Sequence, residues 1–113
     1  MAEIRDILGR AYTTATGITY ELYVVPTAQE SVISSIMACN QGTATGSVRI
    51  QAASATADPA TFSHRLFWNV GVPAQDTLTI TAGITLRSSG VIRVGSEGAS
   101  GFSFNAFGTR IDV

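Results

Sequence analysis

The feature that most limits how this chain can fold is a period of two. Thr77, Thr79 and Thr81 alternate with Leu78, Ile80 and Ala82, which in an extended chain places hydroxyls on one face and apolar groups on the other. The same alternation sets Val48, Ile50 and Ala52 against Ser47, Arg49 and Gln51, and Leu66, Trp68 and Val70 against Arg65, Phe67 and Asn69. No stretch carries an apolar stripe at the helical spacing of about 3.6 residues over three turns. The one helix candidate, AASATADPA at 52–60, ends in Asp58-Pro59 and has no apolar face, so it reads as a loop.

Further strands follow from local composition. Residues 20–25 are rich in aromatic and β-branched side chains and stop at Pro26, which cannot donate to a ladder. SVISSIMACN at 31–40 is apolar on both alternating faces, with Val32, Ile36 and Ala38 on one and Ile33, Met37 and Cys39 on the other. A strand buried on both sides is expected there, its second face covered either by loops of the same chain or by a neighbouring subunit. Residues 91–94 and 102–113 read as the last strands, joined through the glycine-rich GSEGASG at 95–101.

About seven or eight short antiparallel strands, spaced by roughly 8 to 12 residues, give an all-β chain. An open sheet of that size would expose one apolar face, so a single β-sandwich is expected, with jelly-roll connectivity as one option for a strand order that periodicity does not reveal. Residues 1–17, ending in TTATG, read as an N-terminal arm, and residues 18–113 as the β-sandwich domain.

The composition narrows the function. Only 13% of the 113 residues are charged and 45% are hydrophobic, so much of the surface must be Thr, Ser, Ala, Asn and Gly. All the basic residues are arginine, at Arg5, Arg10, Arg49, Arg65, Arg87, Arg93 and Arg110; arginine tolerates interfaces better than the strongly hydrated lysine ammonium. The formal net charge is −1 and no window concentrates basic residues, so nucleic acid is not an expected partner. The first ten residues carry both signs of charge with no apolar core, and no long apolar run follows, so neither a signal peptide nor a membrane span is expected.

Candidate chemistry is sparse. Cys39 has no second cysteine for a disulfide and no companion ligands for zinc. The single histidine, His64, has no carboxylate near it in sequence and reads as a structural or surface residue. The acids fall at turns, as in Asp58-Pro59 and at Asp76, or stand apart, as do Glu3 and Asp6, so neither a calcium loop nor a paired-carboxylate site is expected. GSEGASG opens no helix and holds no lysine, which removes a phosphate cradle. No catalytic residue, metal or cofactor is therefore assigned; a small hydrolase or isomerase would need a convergent site that these residues hardly supply.

The order of several segments resembles a family. Ile7-Leu8-Gly9, residues 22–26 ending in Val-Val-Pro, residues 32–40, DTLTITAGITL at 76–86 and SFNAFG at 103–108 follow one another as in the small sandwich proteins encoded among the structural genes of tailed bacteriophages and prophages. The resemblance implies a virion component, assembled in the host bacterial cytoplasm, that forms homo-oligomers such as trimers and contacts other capsid, neck or tail proteins. Capsid decoration or cementing is the first expectation, and a neck, tail or fibre-attachment role the alternative. In that family the loop after the fourth strand is often longer and rich in aromatics, whereas here it is the plain AASATADPA, so no receptor-binding role is placed on it. The interface candidates are Ile33, Met37 and Cys39 on the second apolar face of their strand, with Ile7 and Leu8 of the arm. A competing expectation is a carbohydrate-binding module that presents Tyr12 or Phe62 to a surface glycan from a shallow groove; most other aromatics are expected in the core, Trp68 on one face with Leu66 and Val70.

Overall fold

The computed structural model describes residues 3–13, 19–55, 65–97 and 101–112. These hold eight strands: β1 Glu3–Thr13, β2 Tyr20–Val24, β3 Gln29–Asn40, β4 Gly46–Ala53, β5 Arg65–Val72, β6 Thr77–Leu86, β7 Val91–Glu97 and β8 Phe102–Asp112. Two four-stranded antiparallel sheets face each other, sheet I in the order β1-β8-β3-β6 and sheet II in the order β2-β7-β4-β5. The pairs β1/β8, β2/β7, β3/β6 and β4/β5 are nested, as in one long hairpin rolled so that successive pairs fall in opposite sheets. That is the jelly-roll connectivity.

The alternations seen in the sequence become the faces of these strands. Val48 and Ile50 of β4, Ile92 and Val94 of β7, Phe102, Phe104 and Ala106 of β8 and Ile36 and Ala38 of β3 are buried between the sheets. Phe102 and Phe104 lie on one face of β8 with ring centroids 6.2 Å apart. The Thr77–Leu86 strand keeps its period of two, with Ile80 and Leu86 buried and Thr77, Thr79, Thr81 and Thr85 exposed.

Sheet I departs from simple alternation along one line. Relative to β8, an extra residue enters β1 between Ile7 and Gly9 and another enters β3 between Ile33 and Ser35, at the level of Phe107 and Gly108. At the same level β6 carries its own irregularity between Thr81 and Ile84. The extra residues put a crease across the sheet and reverse which residues of β1 and β3 face inward beyond it, whereas β8 and β6 keep their alternation. Ile33 lies inside on one side of the crease, and Ile36 and Ala38 lie inside on the other. The expected grouping of Ile33 with Met37 and Cys39 is therefore corrected: Ile33 is a core residue, fully buried, and Val32 takes its place on the outer face.

Glycine permits the close approaches at this crease. A Cβ on Gly108 would collide with the Val32 carbonyl oxygen of β3, and one on Gly9 with the Leu22 carbonyl oxygen of β2. The second contact draws the edge of sheet I against the edge of sheet II.

The residues expected to form a loose arm are instead β1, paired with β8 from Glu3↔Ile111 to Thr13↔Phe102. The expected boundary at residue 17 lies outside the described residues. The physical reason for the correction is β8, which offers a free edge that composition cannot announce. β1 also carries Thr13, whose Oγ1 lies 2.8 Å from Ser96 Oγ of β7 in a buried hydrogen bond between the sheets.

Two more buried polar ties join the sheets. Tyr23 Oη and Ser31 Oγ are 2.7 Å apart between β2 and β3. Asn40, fully buried at the end of β3, donates through Nδ2 to the carbonyls of Ala44 at 2.9 Å and Val72 at 3.0 Å, and its Oδ1 accepts from the Gly42 N–H at 2.9 Å. Thr13, Phe102 and Asn40 share one row of sheet I, so two ties close one end of the core and Tyr23–Ser31 closes the other.

Gly108→Ala is expected to cost about 1–3 kcal/mol of overpacking, because the obstacle is backbone and cannot rotate away; the denaturant midpoint would read it. Deleting residues 1–17 removes an integral strand and the Thr13–Ser96 bond, and is expected to abolish cooperative thermal unfolding rather than leave a folded sandwich.

Candidate assembly surface

Residues opposite one another in a ladder share a face, so the pairing of sheet I defines its outer surface. Four rows cross it: Tyr12, Ser103, Cys39 and Thr77; Arg10, Asn105, Met37 and Thr79; Ile7, Phe107, Ser35 and Thr81; and Arg5, Thr109, Val32 and Thr85. Tyr12 is 54% exposed, Ile7 38% and Met37 37%, while Val32, Cys39 and Phe107 are half-buried. The centre of this face mixes Phe107, Met37, Cys39 and Val32 with Ser103, Asn105, Ser35 and Thr109, and it is flanked by Arg5, Ile7, Arg10 and Tyr12 on its β1 side and by threonines on its β6 side. Aromatic residues, methionine and arginine are the types enriched where proteins meet.

The expected interface residues divide on this surface. Met37, Cys39 and Ile7 lie on the outer face together. Ile33 is in the core, and Leu8, in the bulge of β1, packs against the core cluster. Phe107 and Val32 are members that the sequence reading missed. For Val32 the doublet Ser34-Ser35 was the available signal, since two small polar residues in an apolar run accommodate a bulge; Phe107 is placed only by its partners. Of the two expected covers for β3, no loop among the described residues buries this face.

The outer face of sheet II is built differently. The Arg49 Nη2 lies 2.7 Å from Glu97 Oε1, and its Nε donates to Asn69 Oδ1 at 2.7 Å. The guanidinium carbon of Arg65 stands 3.5 Å from the centroid of the Trp68 ring and that of Arg49 4.6 Å, distances at which cation and π face attract. Nearby Gln51, Ala53, Val91 and Arg93 alternate with the core positions of β4 and β7 yet are buried. On this face Arg49 and Arg65 are engaged within the chain.

Trp68 was expected in the core with Leu66 and Val70. Register shifts between β4 and β5 at Val48/Ile50 and Ile50/Gln51 break the alternation of β5, and Asn69 takes a φ of 56°. Val70 and Phe67 pack on the core, Leu66 is 45% exposed, and Trp68 lies with the arginines. Of the other aromatics considered for a glycan, Tyr12 is exposed with its hydroxyl end against Gly101, whose φ is 90°, and Phe62 lies outside the described residues, as does His64.

Two surface indentations among the described residues are shallow. One, lined by Asp6, Ile7, Gly9 and Arg10, sits at the β1 bulge, and the other is lined by Thr45, Gly46, Ser47, Gly71 and Glu97. Among the described residues no three His, Cys, Asp or Glu side chains come together as a metal site.

No protein-family model matches the chain. No curated protein matches it either. Solved structures do share its fold. One is a chain of Bacillus endospore appendages, described as disulfide-linked pili, with a TM-score of 0.57, 15% identity, and coverage of 98% of this chain and 88% of that one. Another is a chain of the acid-stable capsid of Helicobacter pylori bacteriophage KHP30, with a TM-score of 0.54, 16% identity, and coverage of 99% and 98%. A third belongs to infectious bursal disease virus, with a TM-score of 0.55 and 9% identity; the match covers 96% of this chain but only 32% of the viral one. At these identities the likeness is one of fold.

Proposed function

We propose that this chain is a structural subunit of a virus particle, specifically a decoration or cement protein of a tailed-bacteriophage capsid, that self-associates through the outer face of sheet I. The observation that carries the reading is the set of apolar side chains on that face, Ile7, Met37, Phe107 and Val32 in adjacent rows of one sheet, over which no loop among the described residues folds. Solvent contact there costs free energy that a neighbouring copy removes. The jelly roll of KHP30 capsid, matched along almost the full length of both chains, supports a coat role, as does the order of segments shared with the small phage sandwich proteins. A repeated subunit needs little affinity per contact, because linked contacts add.

A filament subunit is the second reading, favoured by the fold match of similar quality to the appendage chain. A glycan-binding module is less favoured, since Trp68, the largest aromatic on the outer face of sheet II, already faces guanidinium groups.

Replacing Ile7 and Met37 together by aspartate is expected to leave the free energy of unfolding within about 0.5 kcal/mol per site, as for ordinary surface changes. The same variant is expected to lose high-mass assemblies by light scattering. Cryo-electron microscopy of particles from the source would place the subunit: copies at icosahedral positions support decoration, a few copies at the neck or tail move it to the adaptor role, and a helical filament establishes the second reading.

A further inference from the structure

We infer that the β6 edge is a second assembly contact, in which β6 of one copy pairs antiparallel with β6 of another about a two-fold axis. The inference rests on the self-assembly reading above but uses a different surface, the hydrogen-bonding edge of sheet I rather than its outer face.

Among the described residues the sandwich has four edge strands, β1, β6, β2 and β5. Exposed edges are normally protected by charge, short length or bulges, because their unpaired N–H and C=O groups template pairing with another chain. β1 carries Glu3, Arg5, Asp6 and Arg10 and packs its Gly9 against β2. β2 is short and holds Glu21 and a register shift. β5 holds Arg65 and two register shifts. β6 has ten residues, no ionisable side chain or proline, and a single register shift, between Thr81 and Ile84.

Its sequence also fits itself. Read outward from Ala82, Leu78-Thr79-Ile80 mirrors Leu86-Thr85-Ile84. An axis through residue 82 would set Thr79 opposite Thr85, Ile80 opposite Ile84 and Leu78 opposite Leu86 of the other copy. Such a contact is isologous, and Thr–Thr and β-branched pairs directly opposite one another are favourable cross-strand neighbours. Thr81 would meet Gly83, around which a Cβ would find open space. Asp76 and Arg87 flank the strand, so at each end an acid of one copy comes beside a base of the other. Leu78 and Ile84 face the core but are only half-buried, so pairing would also extend the core across the new boundary. An edge contact and a face contact differ in direction, and two distinct contacts per subunit are what a continuous lattice needs.

The test uses the Ile7→Asp/Met37→Asp chain, in which the face contact is removed. Sedimentation equilibrium is expected to show a dimer. Adding Thr79→Lys and Thr85→Lys puts like charges opposite each other twice and is expected to weaken that dimer about tenfold or more, whereas Thr79→Lys with Thr85→Glu is expected to restore it. Both threonines are exposed, and circular dichroism checks that every variant stays folded. A monomer before the β6 changes, or a dimer indifferent to the charge pairing, overturns the inference and leaves the face contact standing. Large assemblies persisting in the Ile7→Asp/Met37→Asp chain would instead count against the face contact.

Discussion

The crease across sheet I governs how the rest of the molecule is arranged. A strand alternates its side chains between two faces, so one inserted residue exchanges the faces beyond it. β1 and β3 each carry such an insertion beside β8. In β3 it lets Ile33, Ile36 and Ala38 all reach the core, although strict alternation would turn Ile33 away. The same event sends Val32 outward to join Met37 and Cys39. The crease needs residues without side chains at its closest points, and Gly108 and Gly9 supply them.

Apolar packing alone is tolerant of small sliding between two sheets. The buried bonds Thr13–Ser96, Tyr23–Ser31 and Asn40–Val72 are not. A typical hydrogen bond of this kind contributes only about 0.5–1.5 kcal/mol net, but a buried group left without its partner costs about 1–3 kcal/mol. Their placement toward both ends of the core therefore penalises any offset of one sheet against the other. Asn40 adds a second task by holding the Gly42 N–H and the Ala44 carbonyl, which shapes the turn into β4.

The two outer faces reflect a chain with few charges. On sheet II, Arg49, Arg65, Glu97 and Asn69 are spent on one another and on Trp68. Sheet I keeps arginine and threonine at its margins and sets Phe107, Met37, Cys39 and Val32 among small polar residues at its centre. The two faces of this small jelly roll therefore differ in character: one engages its arginines within the chain, and the other carries its apolar side chains among small polar ones.

The strands themselves, and the two-sheet closure they require, were legible in the sequence, because alternation is a local property and burial follows it directly. The inward sets of β4 and β6 could be read from Val48, Ile50, Leu78 and Ile80 alone. What local pattern could not carry was anything set by a partner strand. Glu3–Thr13 looks like an arm until β8 offers it an edge; Ile33 looks like an interface residue until the bulge turns it inward; Trp68 looks like core until β5 shifts against β4. Register is a relation between segments far apart in the chain. The sequence by itself therefore determined that this protein is a sandwich of alternating strands, and only the tertiary structure, through register between distant segments, decided which residues that sandwich turns outward.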